Sequence, residues 1–230
     1  GLPLRNVVIR NNWLEDIGWN GINTKSMWEG DNRIHHNVVR RAGKNGSTSG
    51  ESSQYSGIMN MGGTVKIYNN WVEATGQHGI SVWVQGGPKA SAGKGPFDAQ
   101  IWNNVVVDAG KYWKTFMNSS FGISVGAESG VELPVPSVYN NTVVNSRQSG
   151  INVSRNSGPG VIRDNVVAGT GGNPVISAPG HVDLLNNRVG SVAQMEFVDP
   201  SRMDFRLKIG SPARNEATNG FPPKCAATRT

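Results

Sequence analysis

The chain has 230 residues, of which 30 are glycine and 17% are charged, a profile typical of a turn-rich all-β protein. It has no long apolar run, which excludes a transmembrane helix, and its single cysteine, Cys225, excludes a disulfide framework. The formal net charge of +6 favours an anionic partner. Because the basic residues are dispersed along the chain, we expect an acidic polysaccharide rather than a nucleic acid.

A repeat runs along the chain from residue 5 to residue 190. Its fixed point is an asparagine, found at Asn12, Asn37, Asn70, Asn104, Asn141, Asn165 and Asn187. An aliphatic residue lies three positions before each of these asparagines, and another lies two positions after it. Where no loop intervenes, Gly-Ile begins nine positions after the asparagine, as at Gly79-Ile80. The separations of 25, 33, 34, 37, 24 and 22 residues indicate one short unit that is interrupted by inserted loops.

Such a unit is too small to bury its apolar side alone. Stacked units bury a continuous core, which is the principle of a solenoid. Short alternating strands between polar turns predict a β-helix, in which the repeat asparagines hydrogen-bond to one another along a corner at the strand spacing of about 4.8 Å. We therefore interpret the asparagines as scaffold and not as catalytic residues.

The repeats Tyr68-Asn69-Asn70-Trp71-Val72 and Gly79-Ile80-Ser81-Val82 resemble those of the right-handed parallel β-helix family of pectate-lyase-like proteins. The resemblance covers residues 5–190 and implies an all-β, right-handed parallel β-helix of about seven coils, one for each repeat asparagine. Polysaccharide lyases, glycoside hydrolases, epimerases and phage tailspikes share this kind of repeat. The resemblance therefore implies a carbohydrate-related function and a secreted, periplasmic or cell-surface location.

We expect one domain, with the β-helix in residues 1–194 and a capping segment of the same domain in residues 195–230. The stretch from Phe197 to Ala213 is similar to the closing segment of secreted carbohydrate-active β-helices. We predict that it covers the last coil, whose open strand edges would otherwise favour aggregation. At the start of the chain, Val7 already belongs to a repeat strand, so we expect another segment to precede or cover that end.

Inserted loops flank the strand that begins with Gly-Ile, which predicts a groove with that strand's sheet as its floor. The insertions are residues 26–32, 44–56, 84–98, 111–121 and 126–136. Alternation along the strands predicts two outward-facing rows on the floor. These rows are Asn23, Met59, Ser81, Ser124 and Asn152, and then Lys25, Met61, Trp83, Gly126 and Ser154.

A lyase that cleaves a uronic acid polymer needs a base, an acid for the leaving oxygen and a cation that neutralises the carboxylate. We predict His78 or Lys25 as the base, Tyr55 as the acid, and Arg147 or Arg155 as the cation. Substrate contacts are predicted for Trp83, Asn23, Trp28, Asn152, Arg155 and Glu51, because an indole ring packs on sugar C–H faces and polar groups bind hydroxyls and carboxylates. The sequence contains no defined lyase signature, so no catalytic residue is transferred from the family.

Glycoside hydrolysis and metal binding have weaker support in the sequence. A glycoside hydrolase needs two carboxylates about 5–10 Å apart, and Glu51, Asp98 and Glu128 lie on loops without an evident place on the floor. Loop oxygens could hold Ca²⁺, as in related lyases, but no loop has an acidic cluster with a recognisable spacing. The His35-His36 pair is predicted to point to opposite sides of a strand, so that it cannot chelate a metal ion from one face.

A second surface offers a function without catalysis. Aromatic and basic residues lie two positions before the repeat asparagines, at Arg10, His35, Tyr68, Trp102, Tyr139 and Arg163. Such a ladder could hold an extended glycan, as in a glycan-binding or adhesive tailspike-like protein, which would imply a homo-oligomer. The alternative is that loops, a partner subunit or a preceding segment cover this row.

Overall fold

The computed structural model describes residues 4–25, 27, 30–44, 55–84, 97–112, 119–128, 134–172 and 176–214. Most of the predicted insertions, with Trp28 and Glu51, and residues 215–230 of the predicted capping segment lie outside these ranges. Within them, no helix is long and apolar enough to cross a membrane.

The described chain winds through three parallel sheets, to which each coil contributes strands in sequence order. The first sheet contains β1 (Val8–Arg10), β4 (Arg33–His35), β7 (Val65–Tyr68), β10 (Phe97–Trp102), β13 (Pro134–Tyr139), β16 (Gly160–Arg163) and β19 (Val182–Leu185). The second contains β2 (Trp13–Glu15), β5 (Val38–Arg40), β8 (Trp71–Glu73), β11 (Val105–Val107), β14 (Thr142–Val144), β17 (Val166–Ala168) and β20 (Arg188–Gly190). The third contains β3 (Ile22–Lys25), β6 (Ile58–Met61), β9 (Ile80–Val84), β12 (Ile123–Ala127), β15 (Ile151–Val153) and β18 (Ile176–Ser177).

This stacking of about seven coils confirms the predicted right-handed parallel β-helix. The repeat positions supply one continuous core, because the same inward residue of each coil packs on its equivalents above and below. On the first sheet the fully buried members of this column are Ile34, Ile67, Ile101, Val138 and Ile162. On the second they are Val39, Val72, Val106, Val143 and Val167, and on the third Ile58, Ile80, Ile123 and Ile151.

The repeat asparagines form the predicted hydrogen-bonded ladder. At the middle of it, the backbone N–H and the Nδ2 of Asn70 both donate to Oδ1 of Asn104, each at 3.0 Å. Asn104 bonds in the same way to Asn141, and its Nδ2 also lies 2.9 Å from the carbonyl oxygen of Ile67 on the preceding coil. The asparagines therefore satisfy the buried polar groups of a corner, which confirms their interpretation as scaffold.

The residue before each ladder asparagine has a left-handed backbone. These residues are Asn11, His36, Asn69, Asn103, Asn140, Asp164 and Asn186, with φ between 50° and 57°. Asparagine, aspartate and histidine are the residues other than glycine that adopt this conformation most readily. The paired asparagines of the repeat thus have separate functions: the first turns the chain and the second bonds the coils together.

The C-terminal segment packs on a side of the solenoid. It contains an antiparallel hairpin of β21 (Phe197–Asp199) and β22 (Asp204–Leu207), with single 3₁₀ turns at Ala193–Met195, Pro200–Arg202 and Pro212–Arg214. Its buried side chains Met195, Phe197, Phe205 and Ala213 pack against outward-facing residues of the second sheet, namely Val105, Val107, Val144, Val166 and Ala168.

This location differs from the predicted one over the last coil. Leu184, Leu185 and Val189 of that coil are 51%, 49% and 46% exposed. The described part of the C-terminal segment therefore covers a face of the β-helix rather than its end. The reason is local composition: outward valines on the second sheet present an apolar face that needs cover.

Candidate functional site

The predicted groove floor is the outer face of the third sheet. The strands align Asn23 with Met59, Ser81, Ser124 and Asn152 in one outward row, as the alternation predicts. The central members of this row are buried, since Met59 and Ser81 are 2% exposed and Ser124 is 3% exposed. Accessible polar side chains remain toward the two ends, where Asn23 is exposed and Asn152 is half-buried. The predicted floor is therefore a continuous sheet, but its polar side chains are accessible to a ligand only toward its two ends.

Trp83 lies across the third sheet at the middle of the second outward row. A methyl group added at Gly126 on the neighbouring strand would lie 2.7 Å from Cζ3 of the Trp83 ring and 2.7 Å from Cβ of Ser154. The absence of a side chain at Gly126 therefore gives the indole room above the sheet. Trp83 is half-buried, so part of the ring is available for a sugar contact. A glycine facing outward beside a tryptophan is the sequence signal for this arrangement.

Two cations of this face lack an acidic partner among the described residues. Lys25 extends from the end of β3, and Arg155 follows Ser154 on the far side of Trp83; both are exposed. On the second sheet, in contrast, Arg40 forms a bidentate pair with Glu73 at 2.9 and 3.1 Å. Arg41 there pairs with acids in a similar way. The third sheet thus retains positive charge that the second sheet neutralises.

His78 is buried and is held by contacts with the neighbouring coil. Its Nδ1 accepts a hydrogen bond from the backbone N–H of Phe121 at 3.1 Å, and the two rings stack at 5.4 Å. Asn20 makes the equivalent bond from the same position of the first coil, since its Oδ1 accepts from the backbone N–H of Ser56 at 2.7 Å. Burial lowers the pKa of His78 to about 4. His78 is therefore a neutral acceptor within the stack, and this geometry does not support its predicted role as a base.

Two other predicted catalytic residues also lie away from the open floor. Tyr55 is fully buried and stacks on Trp19, with ring centroids 5.8 Å apart, so its hydroxyl cannot act as an acid on a ligand outside the solenoid. Arg147 is exposed but occupies the corner before the strand, where its backbone N–H donates to the carbonyl oxygen of Ala109 at 2.9 Å. Of the predicted site, the third sheet places Asn23 and Lys25 at one end, Trp83 in the middle, and Asn152 and Arg155 toward the other end.

The aromatic and basic row on the first sheet is a face-to-face stack. The ring centroids of His35 and Tyr68 are 4.7 Å apart, those of Tyr68 and Trp102 are 4.4 Å apart, and those of Trp102 and Tyr139 are 5.7 Å apart, with interplanar angles of 6°, 9° and 2°. The guanidinium of Arg163 closes the stack, 4.7 Å above the Tyr139 ring. Because Tyr68, Trp102 and Tyr139 have both ring faces covered by their neighbours, only the edges of these rings are left for a ligand. The row therefore cannot offer a sugar the open ring face that the sequence suggested.

Among the described residues, no group of three or more histidine, cysteine, aspartate or glutamate side chains could hold a metal ion. The fold and this surface together define a parallel β-helix whose third sheet presents Trp83 between two cations, Lys25 and Arg155, that have no acidic partner in the described part of the chain. The chain matches no family model, no curated protein and no solved structure.

We expect the buried His78 to make stability depend on pH. The ordinary pKa of 6.5 falls to about 4 in the folded chain, so the unfolded chain takes up a proton in this window while the folded chain does not. The folded state should lose about 3 kcal/mol as pH falls from 6.5 to 4, and none from this group above that range. Urea unfolding at several pH values measures this loss of stability.

The matched variant is His78→Asn, because Asn20 supplies the same acceptor at the equivalent position. Other groups, including carboxylates, also titrate as pH falls, so the quantity of interest is the difference between the two proteins. The variant should lose about 3 kcal/mol less than the original chain over the same window. Parallel stability curves for the two proteins would show that His78 is not buried in its neutral form.

Proposed function

We propose that this chain is a carbohydrate-active β-helix of the pectate-lyase-like type, which binds an anionic polysaccharide along the outer face of its third sheet. The observation that carries the proposal is that Lys25, at the end of β3, and Arg155, two residues after β15, are exposed on either side of the Trp83 strand, and that both cations lack acidic partners among the described residues. Carboxylate or sulfate groups of a polymer would pair with the cations, and a sugar ring would pack on the indole. A location outside the cell is part of the same proposal.

The spacing of the two cations supports a polymer over a small ligand. Lys25 is on β3, and Arg155 lies two residues after β15, which is four strand steps away in the third sheet. At about 4.8 Å per step the two levels are about 19 Å apart. A ligand that contacts both cations must therefore be extended along the solenoid axis, as a chain of several sugars is. Trp83 on β9 lies between them.

Cleavage by β-elimination remains a proposal that now depends on Lys25. With His78 and Tyr55 buried, Lys25 is the predicted base that stays accessible. Arg155, about 19 Å away, would bind another carboxylate of the polymer rather than the one beside the proton that Lys25 removes. Hydrolysis has less support, because only one of the two candidate carboxylates in the described part of the chain lies at this sheet: Glu128 directly follows β12, whereas Asp98 is on β10 of the first sheet. Ca²⁺ would be supplied with the substrate in the assay, since some of the lyases that this repeat resembles use it together with Lys or Arg.

The binding experiment compares polygalacturonate and alginate with a neutral glucan by isothermal titration calorimetry. Lys25→Ala and Arg155→Ala should each weaken binding of the acidic polymer by roughly 3-fold to 10-fold, the effect of one partly solvated ionic contact. The combined variant should show about the product of the two effects. Lys208→Ala is the matched control, because Lys208 is an exposed lysine beyond the C-terminal hairpin.

Equal affinity for the neutral glucan, or unchanged affinity in the combined variant, would refute this site. The same samples then separate binding from cleavage, since β-elimination creates unsaturated ends that absorb ultraviolet light. Product formed by the original chain and lost in Lys25→Ala would support the lyase. Binding without product from any polymer, with or without Ca²⁺, would identify a glycan-binding protein and reject cleavage.

A further inference from the structure

We infer that His35 and His36 form a binding site for a late first-row transition-metal ion, with Cu²⁺ as the preferred ion. The site is independent of the third sheet, since His35 is the last residue of β4 in the first sheet and His36 directly follows it. Their Nδ1 atoms are 2.7 Å apart, and the ring planes are nearly perpendicular at 82°. Neighbouring residues of an extended strand would point to opposite sides, so this approach needs a local cause.

The left-handed backbone of His36 is that cause. His35 is the last residue of β4 and faces outward, while His36 has φ of 55° at the corner that follows. The turn carries the second ring round to the side of the first. The sequence-based expectation that this pair cannot chelate from one face is therefore wrong, because it assumed that the strand continued through His36.

The separation of the two nitrogens suits a chelated metal ion. Imidazole nitrogens bind such ions at about 2.0 Å. Two of them at right angles, as in the square-planar sites of Cu²⁺, would be about 2.8 Å apart. The observed 2.7 Å is close to this value. In the metal-free pair a single proton would lie between the same two nitrogens.

The surroundings hold both rings in place. His35 stacks on Tyr68 at 4.7 Å, which fixes its plane. The Nε2 of His36 lies 3.3 Å from Nδ2 of Asn69, an amide nitrogen that donates. A metal ion on Nδ1 would leave the proton of His36 on Nε2, so metal binding requires the Asn69 amide to rotate and present its oxygen, the usual partner of metal-bound histidine.

The charges nearby limit the affinity of the site. Arg10 and Arg33 lie close enough to His35 to repel a cation, although Arg33 is paired with Asp31. Two protein nitrogens leave the remaining positions to water. The site should therefore select the ion that binds imidazole most strongly, which is Cu²⁺ in the order of first-row divalent ions.

The test is a Cu²⁺ titration followed by calorimetry and by electron paramagnetic resonance. The variants are His35→Tyr and His36→Asn, because tyrosine and asparagine occupy the equivalent positions of the next coil, at Tyr68 and Asn69. Each variant removes one imidazole. The tyrosine retains the aromatic stack with Tyr68, and the asparagine retains the left-handed corner. His181→Ala is the control, since His181 is an exposed histidine on another coil. All proteins carry Cys225→Ser, so that the thiol does not react with the ion.

We expect one Cu²⁺ per chain, with a spectrum that shows coupling to two nitrogens. His35→Tyr and His36→Asn should each weaken binding by about tenfold or more, the scale of losing an important group at a metal site, whereas His181→Ala should not. Either of two results would overturn the inference: no bound Cu²⁺ in the original chain, or the same affinity and the same nitrogen coupling in both variants.

Discussion

Replacement of Asn104 by alanine is expected to destabilise the folded chain by about 4 kcal/mol. The Oδ1 of Asn104 accepts two bonds from Asn70, and its Nδ2 lies within 3.0 Å of the carbonyl oxygens of Ile67 and Trp102 and of the side-chain oxygen of Asn141. Truncation leaves several of these groups unpaired in a site that is closed to water. Each unpaired buried group costs about 1–3 kcal/mol, and part of this cost is relieved by partners that remain.

The matched control is Asn23→Ala, which removes an exposed asparagine from β3. We expect it to change the free energy of unfolding by less than about 0.5 kcal/mol, as is usual for surface positions. Urea denaturation of the three proteins at pH 7 provides the comparison. A loss below about 1 kcal/mol for Asn104→Ala would mean that water replaces the amide, so that the ladder would not stabilise the corner as we describe.

Replacement of Gly79 by alanine is expected to cost about 3 kcal/mol or more. The added methyl group would lie 2.6 Å from the carbonyl oxygen of Gly122 and closer still to Cγ1 of Val106. Val106 is β-branched and cannot easily rotate away, and the Gly122 oxygen accepts the ladder hydrogen bond of Ile80 at 2.9 Å. Relief must therefore separate two coils, which is a severe form of overpacking.

Gly180→Ala serves as the control, because a methyl group there has no neighbour within 4 Å. Thermal unfolding should show a much lower midpoint for Gly79→Ala and an unchanged or slightly higher midpoint for Gly180→Ala. Similar midpoints for both variants would contradict the tight packing between coils. The crowded contact recurs at Gly21, Gly57, Gly122 and Gly150, which explains why the repeat contains glycine before its third strand.

The environment of the inward-facing residues could be predicted from the sequence, whereas the environment of many outward-facing residues could not. An inward residue such as Ile80 has the same neighbours on every coil, so the repeat itself specifies its environment. The repeat also identified the asparagine ladder. The environment of an outward residue depends on features that do not repeat. His78 and Tyr55 have outward or corner positions in the pattern, yet both are buried.

The structure differs from the sequence-based prediction at two further places, one because of a backbone angle and one because of packing. The approach of His36 to His35 follows from one left-handed φ angle, which the alternation rule for strands does not include. The site of the C-terminal hairpin follows from apolar outward residues such as Val107 and Val144, which read as ordinary strand residues until the second sheet is assembled. Trp83 was predicted from the sequence to face outward, and it is half-buried beside Gly126; its contact with a sugar stays a prediction.

The placement of the C-terminal hairpin has a consequence for how the solenoid opens. Coils that contact only their neighbours can unfold one after another, with a separate equilibrium for each. The hairpin and its flanking residues touch Trp71, Val105, Val144 and Val166, which belong to four successive coils. Unfolding of any one of these coils therefore also disrupts the contacts of the hairpin with the other three. By contacting four coils along the solenoid axis, this segment couples the central coils into one cooperative unit.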